Sequence, residues 1–141
     1  MHKNEYPVSV SIDTLRFDGE GSGEKDTYTY AGRVSLAGDF TLTYPSGEGV
    51  TATLCFSPAS PEILTLTQRG DIECTLVFRA GESHATLYRI SGVGELAMAI
   101  CTRRVENAET NGVRRIRLDY EATVGGARSR TVMTLHIQKT E

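Results

Sequence analysis

The sequence is poor in features that would assign it to a specialised class of protein. No run approaches the roughly 18 apolar residues of a membrane-spanning helix, and the opening residues MHKNEYPVSV lack the apolar segment of a signal peptide. A net charge of −3 excludes a strongly basic nucleic-acid binder. We therefore expect a cytoplasmic protein with no membrane partner. Its 141 residues correspond to one domain, 1–141, with a frayed segment at 1–6.

Cysteine is scarce, and its spacing argues against a metal or thiol function. Cys55, Cys74 and Cys101 are far apart, form no CxxC pair, and each lies in an apolar, strand-like run. This pattern predicts small buried side chains in a protein of a reducing compartment rather than zinc ligands.

Histidine is equally scarce. His2 stands in the segment expected to be frayed, and His136 on a presumed outer face of the last strand. No second ligand stands at a suitable spacing from His84. We therefore expect neither a metal site nor a cofactor.

Catalytic motifs are missing as well. The sequence contains no G-x-S-x-G, no phosphate-binding loop and no H-E-x-x-H. Asp13 and Asp71 are single carboxylates on strands, where such groups are usually solvated. We therefore expect a protein that is not an enzyme, with one alternative left open, because the catalytic groups of a barrel can come from distant strands.

Apolar and polar residues alternate almost throughout the chain, which is the period of a β-strand. Ten such runs occur, at 8–17, 28–36, 40–44, 50–56, 64–66, 72–78, 84–90, 96–100, 116–124 and 133–137. A change of phase after Ile12 predicts a β-bulge near Asp13 and Thr14. The bulge would return Leu15 and Phe17 to the face that Ile12 occupies.

The connections between the runs are short and rich in glycine. Asn111-Gly112 and Gly125-Gly126 are the best hairpin signals, because both residues of each pair tolerate positive φ. Gly32 stands inside a long run, at a position where a closing sheet can bend. Together these features predict an all-β fold, a single antiparallel up-and-down barrel of 8–10 strands, with a β-sandwich as the alternative.

The seventh run carries the first candidate site. His84, Thr86 and Tyr88 alternate and would share one face, and Tyr120 is a further polar aromatic on an inner face. In a barrel interior these groups could orient a small amphipathic ligand. The alternative is structural: Tyr88 packs against Phe78 while His84 satisfies a turn carbonyl.

A second candidate site is basic. Four arginines are expected to form an outward stripe: Arg115, Arg117, Arg128 and Arg130. Such an arginine stripe could contact phosphate or an RNA backbone. Because Asp119 and Glu121 share its face, cross-strand ion pairing is the alternative, and a nucleic-acid partner is not expected.

The order of residues in 63–94 resembles a known family. A leucine-rich strand ends at Gly70 and is followed by Leu76-Val77-Phe78, Gly81, His84 and Tyr88, and then by Gly94, Thr102, Gly112 and Tyr120. This series is similar to that of the YwiB-like proteins, small bacterial proteins of unknown function with a calycin-type (lipocalin-like) barrel. The resemblance extends from about Pro7 to Ile137 and implies a fold, with no known activity.

The sequence also departs from the family pattern. Gln68 stands where that family has an arginine, and Arg69, one place along, would face the other side of the strand. Arg69 nevertheless remains a candidate ligand contact. Arg79 replaces an acidic residue, and 90–94 replaces a Thr-Pro-Tyr-Gly turn.

Two functions from different classes follow. The first is a binding module that holds a small, partly apolar ligand inside the barrel, contacted by His84, Tyr88, Tyr120 and Arg69. The second is a solid barrel that binds a partner protein or a second copy of itself as a homodimer. It is supported by the runs 74–78 and 96–101, which are apolar on both faces and therefore need cover.

Overall fold

The computed structural model describes residues 4–19, 21 and 23–140. Within them the chain forms ten β-strands, in agreement with the ten runs of alternating residues. The strands are β1 (Glu5–Phe17), β2 (Gly23–Ser35), β3 (Phe40–Gly47), β4 (Val50–Ser57), β5 (Ser60–Gly70), β6 (Ile72–Phe78), β7 (Ser83–Ile90), β8 (Gly94–Thr110), β9 (Val113–Val124) and β10 (Ala127–Lys139).

The strands close into one antiparallel barrel. Each strand pairs with the next in sequence, and β10 returns to pair with β1, from Val8 opposite Lys139 to Phe17 opposite Arg130. This is the predicted up-and-down barrel rather than a sandwich. Closure leaves neither terminal strand with a free edge along this ladder.

Both predicted hairpins are present. Asn111 and Gly112 have φ of 53° and 80°, and Gly125 and Gly126 have φ of 57° and 89°. Two successive residues in the left-handed region define a turn whose twist matches that of the flanking strands. These turns fix the register of β8 with β9, where Thr110 pairs with Val113, and the register of β9 with β10.

Alternating residues of the strands fill the barrel centre with packed apolar side chains. The largest fully buried ones are Phe78, Leu42, Leu54, Leu64, Ile100, Ile116, Leu118 and Leu135. Truncating one such leucine typically costs about 2–5 kcal/mol, so this core is the main source of stability. The space left inside the barrel therefore lies towards its ends.

Two predictions about β1 are wrong. No bulge occurs at Asp13 and Thr14, because the ladders to β10 and β2 run past them without a change of register, and a bulge would break both. Leu15 and Phe17 consequently lie on the outer face rather than on the face of Ile12. Leu15 is 37% exposed and pairs with Val132. Arg16 takes the inner face instead.

Strand β1 begins within the segment 1–6 that the sequence predicts to be frayed. Glu5 and Tyr6 are part of β1 and pair with Ser35 and Val34, because β2 is long enough to extend the ladder to them. Residues 1–3, which include His2, lie outside the described residues.

The barrel wall is weakly joined between β6 and β7, which we call the seam. Among the described residues the two strands pair only at Ile72 with Ile90 and at Glu73 with Arg89. Beyond that point the connecting loop is bonded to β8 instead: Gly81 N–H donates to the Thr102 carbonyl at 2.8 Å. The start of β7 therefore follows β8 rather than β6.

Candidate functional site

One end of the barrel holds a cavity of about 280 Å³, which we call the arginine mouth. Its lining comes from β1, β3, β8, β9 and β10 and from one turn: Tyr6, Val8, Phe40, Glu109, Gly112, Arg114, Ile137 and Lys139. The strand residues among them have the inner-face phase of their strands. The arginine mouth is thus the open end of the barrel interior, a common position for ligand sites in β-barrels.

Arg114 is the central side chain of the arginine mouth. Strand alternation places it on the same inner face as Ile116. Its guanidinium carbon lies 5.1 Å from the ring centroids of both Phe40 and Phe56. The two rings stack with their centroids 4.6 Å apart, so one cation covers an aromatic pair.

Hydrogen bonds fix the orientation of this guanidinium. Arg114 Nη1 donates to Asn107 Oδ1 at 2.8 Å, and Nη2 donates to Glu109 Oε1 at 3.2 Å. Asn107 Nδ2 in turn donates to the Pro61 carbonyl at 3.0 Å. The Arg114 side chain is only 21% exposed, so its donors are preorganised at the edge of the core.

A second cation completes the arginine mouth. Lys139 Nζ lies 5.1 Å from the ring centroid of Tyr6. Burial raises the pKa of Tyr6, the Glu109 carboxylate raises it further, and the Arg114 guanidinium opposes both effects. The arginine mouth therefore combines an apolar floor with two cations, one carboxylate and a neutral phenol.

The opposite end is lined by tyrosines, and we call it the tyrosine end: Tyr28, Tyr30, Tyr44, Tyr88 and Tyr120. The ring centroids of Tyr28 and Tyr30 are 6.1 Å apart, and those of Tyr30 and Tyr44 are 5.5 Å apart. Burial raises the pKa of Tyr44 to about 12, with smaller contributions from Tyr30 and Tyr120. The Tyr44 phenol is therefore a neutral hydrogen-bonding group at physiological pH.

Two of the predicted ligand contacts, Tyr88 and Tyr120, belong to the tyrosine end. Tyr120 is 8% exposed and Tyr88 is half-buried. Burial raises the pKa of both phenols, and Cys74 raises each slightly further. The guanidinium of Arg16 lowers both, and a hydrogen bond with Thr131 also lowers the pKa of Tyr120. Cys74 and Arg16 thus influence both phenols. Arg16 lies on this inner face because β1 continues without the predicted bulge.

The other two predicted contacts lie apart from them. His84 is at the seam, where Nε2 is 3.3 Å from the Thr75 carbonyl oxygen. This resembles the structural alternative, although the carbonyl belongs to a strand rather than a turn. Arg69 is exposed on the outer face opposite Thr51. It lines an outer cleft of about 250 Å³ with Glu73 and Arg89.

The structural alternative placed Tyr88 against Phe78, whereas the ring that packs on Phe78 is that of Tyr120. The two ring centroids are 5.0 Å apart.

The prediction of buried cysteines is correct for Cys74, which is buried, whereas Cys55 is only partly buried. It is wrong for Cys101, which is exposed on the outer face of β8. Strand alternation decides this, because Cys101 follows the fully buried Ile100.

Three arginines of the stripe, Arg115, Arg128 and Arg130, form ion pairs with carboxylates. Arg130 makes a two-point contact with Asp119, at 3.0 and 2.8 Å. Arg128 lies 3.3 Å from Glu121, and Arg115 lies 3.6 Å from Glu106. Arg117 Nε is buried without a hydrogen-bond partner among the described residues. His136 lies opposite Arg115 on the outer face, as expected.

The sequence interpretation missed the arginine mouth, although one signal pointed to it. Arg114 has the same phase as Ile116 and Leu118, so alternation alone placed it inside the barrel. Phe40, Phe56 and Lys139 come from strands distant in sequence, and only closure of the barrel brings them to Arg114.

The described residues contain neither a cluster of metal-ligating side chains nor a membrane-spanning helix. Across 4–19, 21 and 23–140, no three histidine, cysteine or carboxylate side chains gather as a metal site would require. In the same part of the chain, no helix has the length and apolar character needed to cross a membrane.

A ten-stranded, closed, up-and-down antiparallel barrel defines an all-β protein consistent with the calycin-like fold. The profile described as "Domain of unknown function (DUF1934)" matches residues 10–136. The chain belongs to this family of uncharacterised proteins, and the resemblance found in its sequence is confirmed.

A solved relative supports the same fold. The crystal structure of the ywiB protein from Bacillus subtilis superposes with a TM-score of 0.84 at 20% sequence identity. The match covers 99% of this chain and 95% of that chain. No curated protein sequence matches the chain.

Proposed function

We propose that this protein is a non-catalytic, cytoplasmic binding module that holds a small, partly apolar molecule in its barrel, in the manner of lipocalin-like proteins. The supporting observation is the arginine mouth, a cavity of about 280 Å³ lined by inner-face side chains. An apolar lining with a few fixed polar groups is the usual composition of a small-molecule site.

The volume sets the size of the ligand. Pockets for drug-sized molecules usually measure about 300–1,000 Å³, and the arginine mouth lies at the lower limit. Beneath it the packed core, with Val8 and Ile137 nearly inaccessible, leaves no room for deeper entry. The ligand is therefore small, or inserts only one end.

The chain contains no tryptophan, which allows a clean optical test. Tyr6→Trp places a single reporter in the arginine mouth, and Tyr28→Trp places the matched control at the tyrosine end. Titration with 1-hexanol, hexanoate or hexylamine should change the fluorescence of the Tyr6→Trp variant with at least one of the three. The control should not respond.

Native mass spectrometry of gently purified protein provides a second readout. A species heavier than 15.4 kDa by a few hundred daltons would give the mass of the natural ligand directly. A bare mass together with a silent Tyr6→Trp reporter would contradict the proposed function.

One observation supports self-association as a second candidate. The outer faces of β7 and β8 form an apolar strip in which Ala85 pairs with Ala99 and Leu87 pairs with Ala97. Leu87 is 54% exposed, and an exposed apolar patch often marks an interface. Sedimentation velocity should then show a concentration-dependent dimer that Leu87→Lys abolishes, and a monomer at every concentration would contradict this candidate.

A further inference from the structure

We propose that the arginine mouth selects a small aliphatic monocarboxylate, with the carboxylate between Arg114 and Lys139 and the alkyl chain on Val8, Phe40 and Ile137. This inference rests on the proposed function and adds the charge and chemical class of the ligand. It follows from the charges, the free donors and the floor of the cavity.

The charges favour a single negative charge on the ligand. Arg114 and Lys139 supply two positive charges to the lining and Glu109 one negative charge, which leaves one positive charge in excess. A monoanion neutralises this excess, whereas a cation would increase it and a doubly charged phosphate would overcompensate it. The partly buried position of Arg114 reduces screening of the attraction by water.

The donors favour an oxygen anion. Asn107 and Glu109 accept from two of the five N–H groups of Arg114, which leaves further donors in the same rigid plane. A guanidinium held in this way suits the planar geometry of a carboxylate. Lys139 is exposed and stacks its ammonium on Tyr6, so its donors can turn to the same anion.

The floor favours an alkyl chain. Val8, Phe40 and Ile137 line the inner side of the cavity. Because they are only 2%, 4% and 4% exposed, they offer a small apolar contact surface. Burial of each methylene group contributes about 0.8 kcal/mol. A bare acetate would leave this surface hydrated, and an alkyl chain of a few carbons would cover it.

Glu109 acts as an internal competitor for the ligand. Its carboxylate already contacts Arg114 Nη2 at 3.2 Å, yet its side chain is 55% exposed. An incoming carboxylate therefore shares Arg114 with an exposed group of the same charge. Replacing Glu109 by glutamine removes that repulsion and should strengthen binding of the anion.

The test compares three probes of one length at pH 7: hexanoate, 1-hexanol and hexylamine. Binding to the unmodified protein is measured by calorimetry and located with the Tyr6→Trp reporter. Hexanoate should bind at least about tenfold more tightly than hexanol, as expected for one charge-assisted contact, and hexylamine should bind least. Glu109→Gln should tighten hexanoate binding severalfold and leave hexanol unchanged.

Variants of the two cations supply the controls. Lys139→Gln should weaken hexanoate binding about tenfold, and Lys25→Gln, an exposed lysine at the other end of the barrel, should not. If Arg114→Gln fails to fold, Lys139→Gln still decides the question. If hexanol binds as tightly as hexanoate, the proposed selectivity for a carboxylate is wrong, while the proposed binding function stands. If none of the three probes binds, both the selectivity and the binding function are wrong.

Discussion

The guanidinium of Arg114 on β9 lies 5.1 Å from the ring centroid of Phe56 on β4, although these two strands are not neighbours in the barrel. The contact therefore crosses the barrel end and joins opposite walls. Phe40 shares it from β3. The arginine mouth is thus a structural closure as well as a candidate ligand site, and its arginine supports both roles.

Removing this closure should destabilise the fold. Arg114→Ala is expected to lower the free energy of unfolding by about 2 kcal/mol, because it exposes the aromatic pair and leaves Asn107 without its donor. Urea unfolding measures the change. Arg33→Ala, whose side chain is 60% exposed, is the matched control and should cost less than about 0.5 kcal/mol. Equal losses of unfolding free energy in the two variants would contradict a structural role of Arg114 across the barrel end.

Replacing Gly32, a glycine inside β2, should destabilise the fold. A Cβ atom at Gly32 would lie 2.8 Å from the Thr43 carbonyl oxygen and 3.3 Å from Val10 Cγ2. Gly32→Ala is therefore expected to cost about 1–3 kcal/mol through overpacking. At Gly47 nothing lies within 4 Å of the added atom, so Gly47→Ala should cost much less. Thermal unfolding of the two variants distinguishes a close approach of strands from a general intolerance of alanine.

Alkaline pH should weaken the fold through Tyr44. Its pKa rises from 10.0 to about 12 on folding, mainly because of burial. The unfolded chain therefore ionises first, and the stabilisation of the neutral phenol, present below pH 10, is lost as the pH rises towards 12. The loss amounts to about 2 kcal/mol. Urea unfolding across this range should show a shallower decline for Tyr44→Phe than for the control Tyr28→Phe, and parallel declines would refute the assignment.

Because of the seam, the rate of amide hydrogen exchange should alternate from residue to residue along β6. The Thr75 carbonyl points towards β7, where it meets His84 Nε2 at 3.3 Å. The N–H of Thr75, and that of Val77, point to the same side, where no ladder continues among the described residues. Their amides should exchange faster than those of Cys74 and Leu76, which point to β5. Uniform protection along β6 would show that the seam is closed.

Features of this fold were predictable from the sequence where neighbouring residues determine them. The turns at Asn111-Gly112 and Gly125-Gly126 carry their own backbone preference, so both hairpins and their registers were predictable. The change of phase after Ile12 led to the wrong prediction of a bulge. The alternation of apolar residues reflects which side chains are buried, and it does not show whether the hydrogen-bonded pairing of the strands continues. At the exposed end of β1 the ladder continues while burial fades, which leaves Leu15 outside.

The amino-acid sequence by itself determined ten strands, their antiparallel order and the inner phase of Arg114, because strand period and turn chemistry act between residues a few positions apart. Only the tertiary structure decided which inner residues meet. Closure of β1 onto β10 brings Tyr6 and Lys139 together, and the crossing of the barrel end brings Phe40 and Phe56 to Arg114. These contacts join positions far apart in sequence, and no local preference encodes them.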